Sequence, residues 1–406
     1  VILGSPNCAA CGLDKKTNIP VYGKGKRGLL ILFDSQLPVH NTMNSFATGY
    51  EYSFIRDTLY QYGIIVEDDC YVASAIRCFT KRPVIKNMEC CKGALDFLID
   101  SLKPKVILTV GSLSARYILK DTIPGAVNLE RVHGFTHNFR KHKCYSVSTW
   151  LPFKESYKTV VSNKIIERDI MQAVIALTMP YREWREEADC IMLLTPKEAK
   201  NWLKTQVSSN KTQWHAIDYE TTGLRPYNKG HRILSCAISD GVDSSYAFMM
   251  EDELIPYMKQ YLEAEHIKKI AHNMQFELMW SDDKIGTWGN SMNVCSMLLA
   301  HTIDNRDTGV TGVGFIAPML LGCKPWDKDV AQYIGADKRD EAKYGNNALN
   351  NMHRVPPRKL LMYNGIDSLV EMRIAVLMMQ TLANIDKTFP TYENIGHWEE
   401  VMYENS

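Results

Sequence analysis

Short apolar runs alternate with stretches of helical spacing along most of this chain. Gly28-Leu29-Leu30-Ile31-Leu32-Phe33 is continuously apolar up to Asp34, and Lys105-Val106-Ile107-Leu108-Thr109-Val110-Gly111 is a second such run. Uninterrupted runs of this length suit parallel strands buried on both faces. Leu95, Leu98, Ile99 and Leu102 share one face of a helix that Pro104 ends, and a further helix is expected from Ser112 to Leu119. Strands alternating with helices imply a sheet covered on both sides, so residues 1–162 read as one α/β domain. Ile165, Ile166, Ile170, Val174 and Leu177 then keep helical spacing inside a connector over 163–188, with a helix expected to pack on one of the domains. Met179-Pro180-Tyr181 breaks that helix, and the charged run Arg182–Glu187 reads as a hinge.

A second domain is expected over 189–385. Ile191-Met192-Leu193-Leu194 is a short strand, and Thr195-Pro196-Lys197-Glu198 opens a helix with an N-cap, a proline at the first position and a capping-box acid. Three strands follow in succession, ending in Asp218–Glu220, Ile233–Ser239 and Ser245–Met249. A helix is expected over Glu253–Glu263, then a strand at Ile267–Ala271 and a helix that carries Glu277. Asp304–Asp307 with Gly309, Gly312 and Gly314 suggest a mobile loop, and 324–357 is polar and irregular, with some helix around Val330–Gly335. Leu360, Leu361, Tyr363, Ile366, Leu369 and Val370 define a last helix before a tail over 386–406.

Composition adds limits. The chain has 406 residues, 45% hydrophobic and 23% charged, which suits two or three globular domains. A net charge of +1 does not mark the whole chain as a polyanion binder, so any nucleic-acid surface must be local. Arg77, Lys81, Arg82, Lys86, Arg131, Arg140, Lys141 and Lys143, with His133, His137 and His142 among them, are the candidates. No apolar run is long enough to span a bilayer, and there is no signal-peptide pattern, so no membrane partner is expected. The eleven cysteines are odd in number and unevenly placed, which fits metal ligation in a reducing cytoplasm better than a secreted disulfide framework.

The candidate chemistry starts at Trp214-His215-Ala216-Ile217-Asp218-Tyr219-Glu220-Thr221-Thr222-Gly223-Leu224. On a strand, side chains at i and i+2 share a face, so Asp218 and Glu220 aim at one spot. Two carboxylates at one spot call for a hard divalent cation such as magnesium. Tyr363 and Asp367, four apart on a helix, likewise share a face. The Asp218 stretch, Ala271-His272-Asn273-Met274-Gln275-Phe276-Glu277 and Tyr363-Asn364-Gly365-Ile366-Asp367 resemble, in order and spacing, the three motifs of DnaQ-like 3′–5′ exonucleases of the type with a motif III tyrosine. The resemblance implies a ribonuclease H-like mixed-sheet domain. It also implies that Asp218, Glu220, Glu277 and Asp367 hold two Mg2+ or Mn2+ ions, that Tyr363 orients the attacking water, and that Thr222, Leu224 and Asn273 meet the terminal nucleotide. Glu277 departs from the family's usual aspartate, and Cys295-Ser296 from its Asp-Thr.

The first domain carries Cys8-Ala9-Ala10-Cys11, then Cys78 within Ile76-Arg77-Cys78-Phe79-Thr80-Lys81-Arg82-Pro83, then the adjacent Cys90 and Cys91. This spacing resembles the 4Fe-4S uracil-DNA glycosylases, with an α/β/α fold. The resemblance implies a cluster held by Cys8, Cys11, Cys78 and Cys91, with Cys91 preferred to Cys90 from its offset to Pro104; a four-cysteine zinc site is the alternative. The glycosylase chemistry is not matched. Phe33-Asp34-Ser35-Gln36-Leu37-Pro38 lacks the glycine-rich frame of the family, and Leu151 stands in Ser148-Thr149-Trp150-Leu151-Pro152 where a histidine is expected. Leucine neither donates a hydrogen bond nor carries charge, so base excision is expected to be lost and the domain to serve DNA binding.

Together the two resemblances match the front end of bacteriophage-type family A DNA polymerases. They imply a proofreading 3′–5′ exodeoxyribonuclease that acts on single-stranded 3′ ends in an infected bacterial cytoplasm, with a polymerase domain or subunit as partner. The alternatives are a DNA-binding scaffold with little nuclease activity and an active uracil-DNA glycosylase fused to a nuclease. Nothing in the sequence marks a sensor of the ribose 2′-hydroxyl, so DNA and RNA both stay open.

Overall fold

The first apolar run forms β1 (Leu29–Ser35), paired on both sides in parallel with β2 (Cys70–Ile76) and β3 (Val106–Val110). The computed structural model describes residues 8–13, 18–123, 127–152, 163–183, 190–209, 211–304 and 309–388, which divide into two units. The first comprises the chain up to Glu183 together with Pro318–Lys324; the second comprises Trp184–Ala317 and the chain from Pro325 onward. Among the described residues, no helix is long and apolar enough to cross a membrane.

In the first unit, β4 (Thr136–Phe139) and β5 (Cys144–Thr149) complete a five-stranded sheet of order β2-β1-β3-β5-β4, with β4 alone antiparallel. Leu29, Ile31 and Phe33 alternate out of β1 onto one face, where they meet Ile55 and Leu59 of α1 (Gly49–Tyr60). That alternation is the two-residue period of a strand. α2 (Ile85–Leu102) packs against β2 and against α3 (Ser112–Leu119). At the start of α3, Gly111 has φ +116°, and a Cβ there would run into the Asp34 carboxylate. Asp34 is close because its Oδ1 accepts the Ser114 amide at 2.7 Å and the Ser114 hydroxyl at 2.8 Å. Its carboxylate therefore caps a helix.

The helix foreseen inside the connector is α4 (Asn163–Thr178), and it packs on β5 and β3 within the first unit. Ile166, Ile170, Ala173 and Ala176 enter the same core as β1. Its Asp169, fully buried, accepts a hydrogen bond from Thr149 Oγ1 at 2.9 Å and lies 3.0 Å from His133 Nδ1. His133 and His137 are thus buried and are not part of an exposed basic face, contrary to expectation. His137 Nδ1 donates to the Met319 carbonyl at 3.0 Å, and Arg140 Nε to that of Leu321 at 3.1 Å, which fastens Pro318–Lys324 to β4.

The second unit opens with β6 (Cys190–Leu193) and α5 (Pro196–Val207), whose Thr195 cap and Glu198 form the expected capping box. Next come β7 (Gln213–Thr221), β8 (Ile233–Ser239), β9 (Ser245–Met249), α6 (Ile255–Glu263), β10 (Ile267–Ala271), α7 (Gln275–Ile285), β11 (Met292–Cys295) and α8 (Ser296–Ile303). The sheet order is β11-β10-β7-β8-β9-β6, antiparallel at β7-β8 and β8-β9 and parallel elsewhere. Ile217 and Tyr219 face a core built with Leu203, Met258, Tyr261 and Trp280 from α5, α6 and α7. α10 (Pro357–Thr388) covers the other face, with Leu361 against Ala237 and Ala247. Asp218 and Glu220 alternate with Ile217 and Tyr219, so the strand period turns them toward α10. Lys269 of β10 is buried, and its ammonium donates to the carbonyls of Leu262, Ala264 and Asn290 at 2.8–2.9 Å. Three carbonyls match its three donors and offset part of the cost of burial, which pulls its pKa down to about 7.

One expectation is corrected. Gly314 does not lie in a loop but in α9 (Val313–Leu321), because Phe315-Ile316-Ala317 and Met319-Leu320-Leu321 supply an apolar helical run; Gly309 and Gly312 precede the helix. Residues 305–308, including Asp307, lie outside the described residues.

Candidate active site

The Asp218, Glu220 and Asp367 carboxylates each offer an oxygen within 4.8 Å of the other two, the one such group among the described residues. β7 presents the first two and α10 the third. The β7–β8 register shifts between Glu220 and Thr221, so the bulge lies directly beside the pair, a common device for aiming side chains. Glu277 enters from the first turn of α7, beyond the C-terminal end of β10. It is 2% exposed, and its Oε2 has no hydrogen-bond partner. Glu277 feels the charge of Asp218 but falls outside the 4.8 Å group.

Burial pushes Asp218 up to about 7, against the pull of a hydrogen bond from Asn364. Glu220 is raised by burial and then by the charges of Asp218, Asp367 and Glu277. Asp367 is raised by burial and by Asp218, and is partly relieved by bonds from Trp326 and Tyr363. Tyr363 is raised first by the Asp367 charge and then by burial, which keeps its hydroxyl protonated as a donor. Like charges this close cannot all ionise unless something positive joins them. An oxygen-only donor set with an orphaned buried oxygen fits a hard divalent cation.

The 3′–5′ exonuclease family matches residues 190–382. This stretch is a 3′–5′ exonuclease domain, related to the proofreading domains of DNA polymerases. A DNA polymerase of Bacillus phage SP01 is 20% identical over 364 residues, covering 77% of this chain and 38% of that protein, so the chain spans well under two thirds of that relative. Among solved structures, Brucella melitensis NrnC is similar at 20% identity, covering 53% of this chain and 91% of NrnC with a TM-score of 0.35. Escherichia coli RNase D is similar at 12% identity, covering 54% and 51% with a TM-score of 0.32.

Three further residues hold the exonuclease site together and were not singled out from the sequence. Asn364 is fully buried; its Nδ2 donates to Asp218 Oδ2 at 2.5 Å, and its Oδ1 accepts from Ser235 Oγ at 2.8 Å. Trp326 Nε1 donates to Asp367 Oδ1 at 2.9 Å. The signal for Asn364 was present, since a polar residue beside Tyr363 must face either the sheet or solvent. Trp326 gave no signal, because 41 residues separate it from Asp367. Asn364→Ala should lower turnover about 10–100-fold, the usual cost of losing a group that orients a metal ligand. The check is kcat on an end-labelled oligonucleotide beside a thermal melt.

The expected nucleotide contacts differ in placement. Thr222 is buried, and its Oγ1 accepts the Arg232 amide at 2.9 Å, so the hydroxyl is occupied in joining the strands. Gly223 is required because a Cβ there would strike the His231 ring. Leu224 is 59% exposed, and Asn273 is exposed in the left-handed region at φ +62°.

In the first unit, the one-turn helix Cys8–Cys11 packs on α2. Asn87 of α2 donates to Cys11 Sγ at 3.4 Å, and Cys91 lies buried on the same helix. The Arg77 guanidinium, lowered by burial, feels the charges of both Cys91 and Cys78. Cys11, Cys78 and Cys91 thus share a neighbourhood; the Cys8 side chain lies outside the described residues.

Proposed function

We propose that this chain is a metal-dependent 3′–5′ exonuclease that shortens single-stranded DNA from the 3′ end and proofreads for a DNA polymerase domain or subunit. The convergence of Asp218, Glu220 and Asp367 within 4.8 Å carries this reading. These three and Glu277 would hold two magnesium or manganese ions. Such ions lower the pKa of bound water and stabilise the leaving oxygen of a phosphodiester. Tyr363, whose one O–H is donated to Asp367, would orient the attacking water by accepting a hydrogen bond from it. Leu224, exposed at the end of the motif I turn, offers an apolar surface to the terminal base. DNA rather than RNA is favoured by the phage DNA polymerase relative.

The test is a gel assay with 3′- and 5′-labelled DNA and RNA oligonucleotides in magnesium. A ladder shortening from the 3′ end of DNA supports the proposal. Faster digestion of RNA would replace the substrate, and no digestion would favour a DNA-binding scaffold.

For the first unit we propose a degenerate glycosylase-like domain that binds DNA around a 4Fe-4S cluster held by Cys8, Cys11, Cys78 and Cys91. The capping role of Asp34 supports the loss of excision, since its Oδ1 is already occupied by Ser114. The placement of Cys11 beside Asn87 of α2, and of Arg77 near both Cys78 and Cys91, supports a shared neighbourhood for these thiols. Anaerobically purified chain should be brown and contain about four irons; colourless, zinc-loaded protein would overturn this.

A further inference from the structure

Residues 325–356 lie between the stretch that carries Glu277 and the helix that carries Tyr363 and Asp367, and no motif includes them. They are polar and irregular in sequence, yet they form a strap tied down at both ends. Near its start, Trp326 Nε1 donates to Asp367 Oδ1 at 2.9 Å. Further along, Val330, Met352 and Val355 share a buried cluster with Leu234 of β8 and Leu360 of α10, against which Tyr363 packs. The strap also closes on itself, since the Asn351 amide donates to the Tyr333 carbonyl at 2.9 Å. Near its end, the Asn350 amide donates to the Thr222 carbonyl and Asn350 Nδ2 to the Thr221 carbonyl, both at 2.9 Å. One continuous segment therefore joins the backbone just after Glu220 to the carboxylate of Asp367.

The donor that this strap delivers is chemically suited to a metal ligand. An indole N–H donates and cannot accept, and it sits on a rigid ring, so its direction is fixed once the ring is seated. It is also neutral. A lysine or arginine in its place would orient Asp367 too, but would compete with a cation for the same negative charge. Asp218 is held in the same manner by a neutral donor, Asn364 Nδ2. A carboxylate has about four lone-pair sites, so Asp367 keeps acceptor capacity for a cation after bonding Trp326 and Tyr363.

We propose that Trp326 is a positioning residue of the metal centre: its N–H fixes the Asp367 carboxylate in the orientation that meets Asp218 and Glu220, and the strap holds that N–H in place. This rests on the exonuclease reading and adds to it a residue outside the three motifs that sets cation affinity without touching the cation. A merely packed tryptophan contributes its ring; a positioning one contributes its N–H. The two roles separate when the ring is kept and the N–H is removed.

The test is Mn2+ binding to the full chain, followed by the loss of the free-ion paramagnetic resonance signal, beside a metal-free thermal melt. Wild type is compared with Trp326→Phe and with a chain in which benzothiophene replaces the Trp326 indole, which keeps the bicyclic shape and has no N–H. Both replacements should bind Mn2+ about tenfold or more weakly. Exonuclease kcat should recover as Mn2+ is raised, with KM for a single-stranded oligonucleotide unchanged. The benzothiophene chain keeps the packing, so its metal-free melt should stay close to that of wild type, and it decides the matter if Trp326→Phe fails to fold. Wild-type Mn2+ affinity in the benzothiophene chain would make Trp326 a packing residue and overturn the proposal. Binding of no Mn2+ by wild type would remove the metal-centre reading itself and this inference with it.

Discussion

The Asp218→Ala chain is expected to lose exonuclease activity by about three orders of magnitude or more while keeping its fold. Asp218 lies within 4.8 Å of both Glu220 and Asp367 and, after burial, is the leading charge that raises Glu220, Glu277 and Asp367. Removing a carboxylate that would hold the cations forfeits several kcal/mol of charge stabilisation, and each ~1.4 kcal/mol is a factor of ten in rate. Without metal, Asp218 adds repulsion to its neighbours. Its loss should therefore leave the metal-free melting temperature unchanged or raise it. Digestion of an end-labelled oligonucleotide and a thermal melt on the same preparation measure both effects. Turnover at the wild-type rate would remove Asp218 from the chemistry, and collapse of the fold would make it a structural residue.

The second large effect is the pH dependence of cation binding. Asp218 ionises near 3.8 when unfolded and at about 7 in the folded, metal-free chain. The folded state therefore binds the extra proton between these values. The stabilisation this gives is fully present below about pH 4 and is lost as pH rises through about 7. A bound cation competes with that proton, so metal affinity should weaken about tenfold per pH unit below 7 for each proton displaced. At pH 8, Mn2+ at about 100 times its Kd should add ~2.7 kcal/mol, a rise of about 5–10 °C in melting temperature for a domain of this size. At pH 5 the same concentration should give almost no rise. Subtracting melts with and without metal at each pH cancels His40, His137, His215 and His272, each lowered to about 4 by burial. A rise equal at both pH values would mean that the ion binds away from the buried carboxylates.

Much of the site was legible in the sequence. The alternation of Ile217 and Tyr219 with Asp218 and Glu220 required two apolar residues on one face and two acids on the other, because a strand repeats every two residues. The four-residue interval from Tyr363 to Asp367 required one helical face. Thr195-Pro196-Lys197-Glu198 announced a helix start through local hydrogen bonding, and the same capping box appears in the fold. These are short-range rules, and they hold wherever the segment ends up.

What only the tertiary structure decided depends on groups far apart in sequence. The face of α10 that meets β7 and β8 was fixed by Leu361 packing on Ala237 and Ala247, and this placed Asn364 on Asp218 and Ser235. The partner of Asp367 is Trp326, which no periodicity connects to it. Asp169 came from the expected connector to meet His133 and Thr149, since the burial of Ile166 and Ile170 drew α4 onto the first sheet. The Asp34 carboxylate became a helix cap because Gly111 lets the start of α3 approach it. A sequence shows which side chains can hold a cation or a proton. Which of them are desolvated together, and so which must share one, depends on packing between distant segments.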